Sequence, residues 1–129
     1  MTKFFKILAA AMIALFAIVS LSSCSSVEAI DMSKVEAVVD VRTSGEFSTG
    51  HLEGALNIDI QGSDFATQID ALDHSSNFVI YCHSGNRAGQ AVSYMHDHGF
   101  TGTLTNAGGV DDASTATGLP IVQDRKSVV

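Results

Sequence analysis

Apolar and polar positions alternate along the chain in short blocks of two kinds. Val35 to Val41 is a compact apolar run that ends in Asp40-Val41-Arg42, which predicts a buried strand whose end carries Asp40 and Arg42 into a loop. Ser44 to Gly50 reads as a short helical turn, and Gly54 to Ile60 alternates weakly as a second strand. Phe65, Ile69 and Leu72 stand at i, i+4 and i+7, one face of a helix. Phe78-Val79-Ile80-Tyr81 closes a third strand over Asn77–Tyr81, and Cys82 to Arg87 is a glycine-containing loop. Ala88 to His98 predicts a helix with Ala91, Val92 and Met95 toward the core and Gly99 as its stop. Thr101 to Thr105 is a fourth short strand. Strands in alternation with helices predict an α/β domain, a mainly parallel central sheet with helices on both faces. Ligands of such sheets bind at the carboxyl ends of the strands, where Asp40 and Cys82 both lie. After Gly109 the pattern fades into small polar residues, and Gly118-Leu119-Pro120 is a turn signal.

The N-terminus follows another logic. Lys3 and Lys6 precede a charge-free, mostly apolar run of 15 residues from Ile7 to Leu21, short for a membrane span. Ser22, Ser23 and Cys24 follow, the order of an export signal. Leu21-Ser22-Ser23-Cys24 resembles the lipobox of bacterial lipoproteins, which implies cleavage before Cys24 and acylation of that residue. With Ser25 next, the expected destination is the periplasmic face of the outer membrane of a Gram-negative cell. The competing cut follows Val27-Glu28-Ala29 and leaves a soluble periplasmic protein. The expected organisation is thus a signal over 1–23, a tether over 24–34, a domain over 35–120 and a frayed tail over 121–129.

Charge and cysteine usage narrow the classes. The full chain carries −7, and losing Lys3 and Lys6 leaves five Lys and Arg against fourteen Asp and Glu, near −9. Such a surface repels nucleic acid, and no basic stripe offsets it. Either cut leaves Cys82 as the one thiol of the mature chain, so a disulfide is not expected. The five histidines do not form a metal-ligand spacing, and the glycines lack the Lys-Ser/Thr of a nucleotide loop.

The chemistry concentrates in Tyr81-Cys82-His83-Ser84-Gly85-Asn86-Arg87-Ala88. A Cys leaving a strand into a tight loop before a helix meets converging backbone N–H groups and the positive end of the helix. Both favour a thiolate. Gly85 lets the loop turn, and Arg87 can complement an anion or brace the loop. Phosphatases that use a cysteine place five residues between Cys and Arg; here His83 to Asn86 makes four. The smaller cup suits one extra sulfur atom better than a tetrahedral phosphate.

Three segments together carry a resemblance: Asp40-Val41-Arg42 with Glu46-Phe47 and Gly50-His51-Leu52-Glu53-Gly54-Ala55-Leu56-Asn57-Ile58; the Cys82 loop; and Asn106-Ala107-Gly108-Gly109. In this order they resemble the rhodanese family, among its small secreted single-domain members like the phage-shock rhodanese. The resemblance covers about residues 35–110. It implies transfer of sulfane sulfur from a donor such as thiosulfate to cyanide or a thiol, with Cys82 as the persulfide-bearing nucleophile and no metal or organic cofactor. His83, Ser84, Gly85, Asn86 and Arg87 would form the cradle through their backbone. Asp40 would order the neighbouring loop, and Arg42 and Glu46 would form a structural ion pair. His51 is left between the pocket rim and a packing role. A non-catalytic rhodanese-like binding module and a cysteine-loop phosphatase or arsenate reductase are the rival readings. Two departures matter: His83 stands where many relatives have Arg, and no Trp follows the glycine pair.

Overall fold

The computed structural model describes residues 27–124. The expected signal over 1–23 and the lipidation candidate Cys24 lie outside the described residues. Strands β1 (Ala37–Asp40), β3 (Leu56–Asn57), β4 (Phe78–Tyr81) and β5 (Leu104–Asn106) form one sheet in the order β3-β1-β4-β5, every neighbour parallel. A two-stranded antiparallel pair, β2 (His51–Leu52) with β6 (Ile121–Val122), stands beside it. The helices are α1 (Ser44–Thr49), α2 (Phe65–Asp70), α3 (Asn86–Asp97) and α4 (Val110–Thr117).

The sheet is buried on both faces, as parallel sheets are, and the period-2 alternation of the central strands sorts their side chains between two cores. Val39, Val41, Phe78, Ile80 and Cys82 share one core with Phe65 and Ile69 of α2 and Ala88, Ala91 and Met95 of α3. Val38, Val79 and Tyr81 share the other with Leu52 and Ala113 of α4. The expected α/β architecture with helices on both faces is the one observed.

Several boundaries differ from the sequence expectation, each for a physical reason. Residues 30–34, read as tether, pack onto the domain. Ile30 N–H donates to the Ala116 carbonyl at 2.8 Å, Met32–Lys34 form a 3-10 turn capped by Asp31, and Ile30, Met32 and Val35 cover the second core. The segment after Gly109 is helix α4, whose inward contacts are made by the small residues Ala113 and Ala116. Residues 121 and 122, expected to fray, pair with β2 instead. The strand expected over 54–60 contracts to Leu56–Asn57. The helix expected from Ala88 starts at Asn86, because Gly85 in the left-handed region (φ +92°) turns the chain into it. It ends as expected, with Gly99 left-handed.

Candidate active site

Residue Cys82 leaves β4 at the carboxyl end of the sheet, on the α3 face, and has no exposed surface. Its amide donates to the Gly108 carbonyl at 3.0 Å, which fixes where the loop begins. Gly85 N–H donates to Sγ at 3.0 Å. Burial alone would push the thiol up. The N–H groups of Ala88, Ser84, Gly85 and Arg87 outweigh burial and hold it below the ordinary thiol value. Two of those amides, from Arg87 and Ala88, belong to the first turn of α3, where N–H groups have no partner within the helix. The loop and the helix end thus supply the cup that the sequence implies. His83, Ser84 and Asn86 are the exposed residues of this loop.

The late signature clamps the loop from outside. Asn106 Nδ2 donates to the Gly85 carbonyl at 2.9 Å, while its Oδ1 accepts from Gly108 N–H at 3.0 Å. Gly109 is buried against the His83 carbonyl oxygen, so close that a Cβ there would overlap it. This contact requires glycine through space rather than through backbone angle, since its φ is −85°. Gly109→Ala should displace the loop and cost about a hundredfold in turnover, the usual consequence of misplacing a reacting group by an ångström. The thiol should also titrate closer to an ordinary thiol; steady-state rates and the pH dependence of Cys82 alkylation check both effects. Asn106 was not singled out from sequence as a site residue, and its only signal was its place in the late signature.

The supporting residues are arranged differently from expectation. Arg42 does not pair with Glu46. Its guanidinium is buried on Asp40, with Nη2 at 2.6 Å from Oδ2 and Nε at 3.0 Å from Oδ1, and Nη2 also donates to the Gly50 carbonyl at 2.7 Å. Asp40 Oδ1 accepts from the Arg42 amide too, at 2.9 Å, so Asp40 does order the strand-end loop. The Arg42 guanidinium lies 5.7 Å over the Tyr81 ring. Asn57 Nδ2 holds the same loop from β3 through the carbonyls of Asp40 and Arg42, at 3.2 and 2.9 Å. Asp40 and Cys82 therefore share a sheet end but project to opposite faces.

Glu46 reaches Arg87 instead, in a two-pronged pair at 2.8 and 2.9 Å. Arg87 holds the Glu46 carboxyl down at about 2, with Thr43, the N-cap of α1, adding to the effect. The resemblance implied Arg42 as the partner of Glu46. The fold brings Arg87 across from α3 and leaves Arg42 to the nearer, buried Asp40. His51 is not on the loop. Its ring stacks on Phe47 at 3.6 Å, Nδ1 lies 2.8 Å from the Phe47 carbonyl, and Nε2 lies 3.8 Å from Asp124. Of the two readings left open, the packing one matches its surroundings. Among the described residues no three His, Cys, Asp or Glu converge as a metal site requires.

A family model described as the rhodanese-like domain matches residues 25–116. The chain belongs to the rhodanese family. Thiosulfate sulfurtransferase 16 of Arabidopsis thaliana is 35% identical over 92 residues, covering 64% of this chain and 76% of the relative. Thiosulfate sulfurtransferase PspE of Escherichia coli is 30% identical over 74 residues, covering 57% and 70%. A tRNA uridine(34) hydroxylase of Pectobacterium carotovorum is 33% identical over 90 residues, but this chain spans only 25% of its length. Among solved structures, a rhodanese with anions from E. coli superposes with a TM-score of 0.56 at 29% identity, covering 68% of this chain and 98% of the other. A rhodanese-like domain of an Anabaena protein gives 0.59 at 26% identity, covering 69% and 93%. The rhodanese relatives named as thiosulfate sulfurtransferases support sulfurtransferase activity in general terms for this domain.

Proposed function

We propose that this rhodanese domain carries sulfane sulfur as a persulfide on Cys82 and passes it to a thiophilic acceptor, cyanide or a thiol. The observation behind this reading is the ring of backbone N–H groups aimed at a buried Sγ whose thiol is held below its ordinary value. Those groups stabilise a thiolate before reaction and a terminal persulfide anion after it. The Cys82 thiolate attacks the outer sulfur of the donor. The donor's S–S bond breaks, and its electron pair leaves on sulfite, which is stable as an anion and needs no general acid. The acceptor then takes the outer sulfur, and Cys82 returns as thiolate. No metal or organic cofactor enters the cycle. The mature protein is proposed to work on the periplasmic side of the envelope, anchored to the outer membrane through Cys24.

A depressed thiol argues against an inert buried Cys, and four residues between Cys82 and Arg87 argue against a phosphatase cup. Formation of thiocyanate from a sulfane donor and cyanide, with no release of phenol from an aryl phosphate, is the result that fits. The reverse pattern would replace this reading with the phosphatase one.

The pH dependence has a definite sign. Only the thiolate is loaded, so the loading rate falls as pH drops through the Cys82 pKa. That midpoint should lie below the value of about 8.5 for an unperturbed thiol. Glu46 stays ionised down to about pH 2, so the Arg87 brace adds no second acid limb between pH 4 and 6. Single-turnover loading measured against pH checks both features. A midpoint at or above 8.5 would contradict the backbone-stabilised thiolate.

A further inference from the structure

The charge around the cup is disposed so as to choose between sulfur donors. Three Lys and Arg lie among the described residues: Lys34, Arg42 and Arg87. Lys34 is at the far end of the sheet, before the start of β1, where its carbonyl accepts from Asn77. Arg42 is buried on Asp40 on the opposite face from Cys82. Among the described residues Arg87 is the one guanidinium beside the loop, and both of its terminal nitrogens are engaged by the two oxygens of Glu46. The pair is partly open to solvent, with side chains 22% and 37% exposed, so the Glu46 carboxylate adds a negative charge to the surroundings of the loop.

We propose that Glu46, by capturing Arg87, sets the donor class of this site. It favours sulfane sulfur borne on a singly charged donor over the dianion thiosulfate. This rests on the sulfurtransferase reading above and specifies its substrate. A backbone cup is suited to one negative charge on the outer sulfur. A second negative charge, on the oxygens of the departing sulfite group, needs a cation, and the one beside the loop among the described residues is already neutralised by Glu46. Glu46 touches neither donor nor Sγ; it acts through Arg87 and is a positioning residue.

Two donors with the same chemistry but different charge test the idea: thiosulfate and the methanethiosulfonate anion. Both give Cys82 persulfide by attack on the outer sulfur, one releasing sulfite and the other methanesulfinate. The readout is the ratio of kcat/KM for thiosulfate to kcat/KM for methanethiosulfonate. Glu46→Gln keeps the shape and removes the charge, and should raise this ratio about fivefold to tenfold, the scale of one nearby charge in a wet site. Glu46→Asp keeps the charge and should leave the ratio near that of the parent. Asp97→Asn, exposed at the remote end of α3, changes the net charge equally and should not move it. His83→Arg adds a guanidinium on the exposed loop without touching the pair and should raise the ratio, which keeps the test open should Glu46→Gln fold poorly. An unchanged ratio in a folded Glu46→Gln protein, or an equal rise in Asp97→Asn, would overturn the donor assignment alone, and should Glu46→Gln fail to fold, an unchanged ratio in His83→Arg would do the same. Failure of the parent protein to use either donor would overturn the sulfurtransferase reading and this inference with it.

Discussion

Cys82→Ser should abolish sulfur transfer and leave the fold standing. The substitution is nearly isosteric, and a hydroxyl at the end of β4 can accept the Gly85 amide as the sulfur does. The destabilisation should stay below about 2 kcal/mol, as for most single substitutions. Activity has no such tolerance. An alkoxide is not available near neutral pH, and oxygen does not accept and return sulfane sulfur. Turnover should fall by more than roughly a thousandfold, as when a covalent nucleophile is removed elsewhere. Cys82 is the only Cys among the described residues, so no neighbouring thiol there can substitute for it. Thiocyanate formation above background by a folded Cys82→Ser protein would remove the covalent role.

The second large effect concerns stability. Asp40→Ala should destabilise the domain by about 3–5 kcal/mol, the range for stranding one partner of a buried ion pair. Asp40 is fully buried and Arg42 is 4% exposed. Burial opposes the Arg42 charge, and the hydrogen bonds and charge of Asp40 more than offset it. Without Asp40, the guanidinium keeps the Gly50 carbonyl and the Tyr81 face but loses its counter-ion, and the Arg42 amide loses its acceptor. Denaturant unfolding measures the loss, and a change under about 1 kcal/mol would show that Arg42 escapes to solvent. The double variant Asp40→Ala with Arg42→Met should recover part of the loss, because no unpaired charge then remains buried.

How much of this was legible in the sequence depends on how each element is stabilised. The β4–loop–α3 unit could be read because Phe78 to Tyr81 is continuously apolar and the residues after Gly85 follow a helical period toward Ala91 and Met95. Helix α4 could not. Its buried side chains are two alanines and Thr117, set among Asp111, Asp112, Ser114 and Thr115, so hydrophobicity carries almost no period there. The β2–β6 pair is two residues per strand and joins segments about seventy residues apart, which no local pattern reports. The docking of Ile30 and Met32 depends on α4 and was hidden for the same reason.

At the site, Cys82 and the loop that follows it were legible from local order along the chain. The ion pairs did not. Which carboxylate Arg42 meets is decided by burial at the end of β1, and which cation Glu46 meets is decided by the reach of Arg87 from the first turn of α3. The role of Asn106 in holding the Gly85 carbonyl likewise depends on β5 lying beside β4, a tertiary fact. The sequence thus carried the chemistry of the cup, while the electrostatic frame that tunes it emerged only from the fold.

The most direct test of the persulfide account is the intact mass of the full chain after incubation with a sulfane donor, followed by peptide mapping. The account predicts a gain of one sulfur atom, located on the peptide that contains Cys82 and removed by cyanide with release of thiocyanate. A protein that turns over donor and acceptor without ever gaining that atom, or that carries it anywhere other than Cys82, would contradict it.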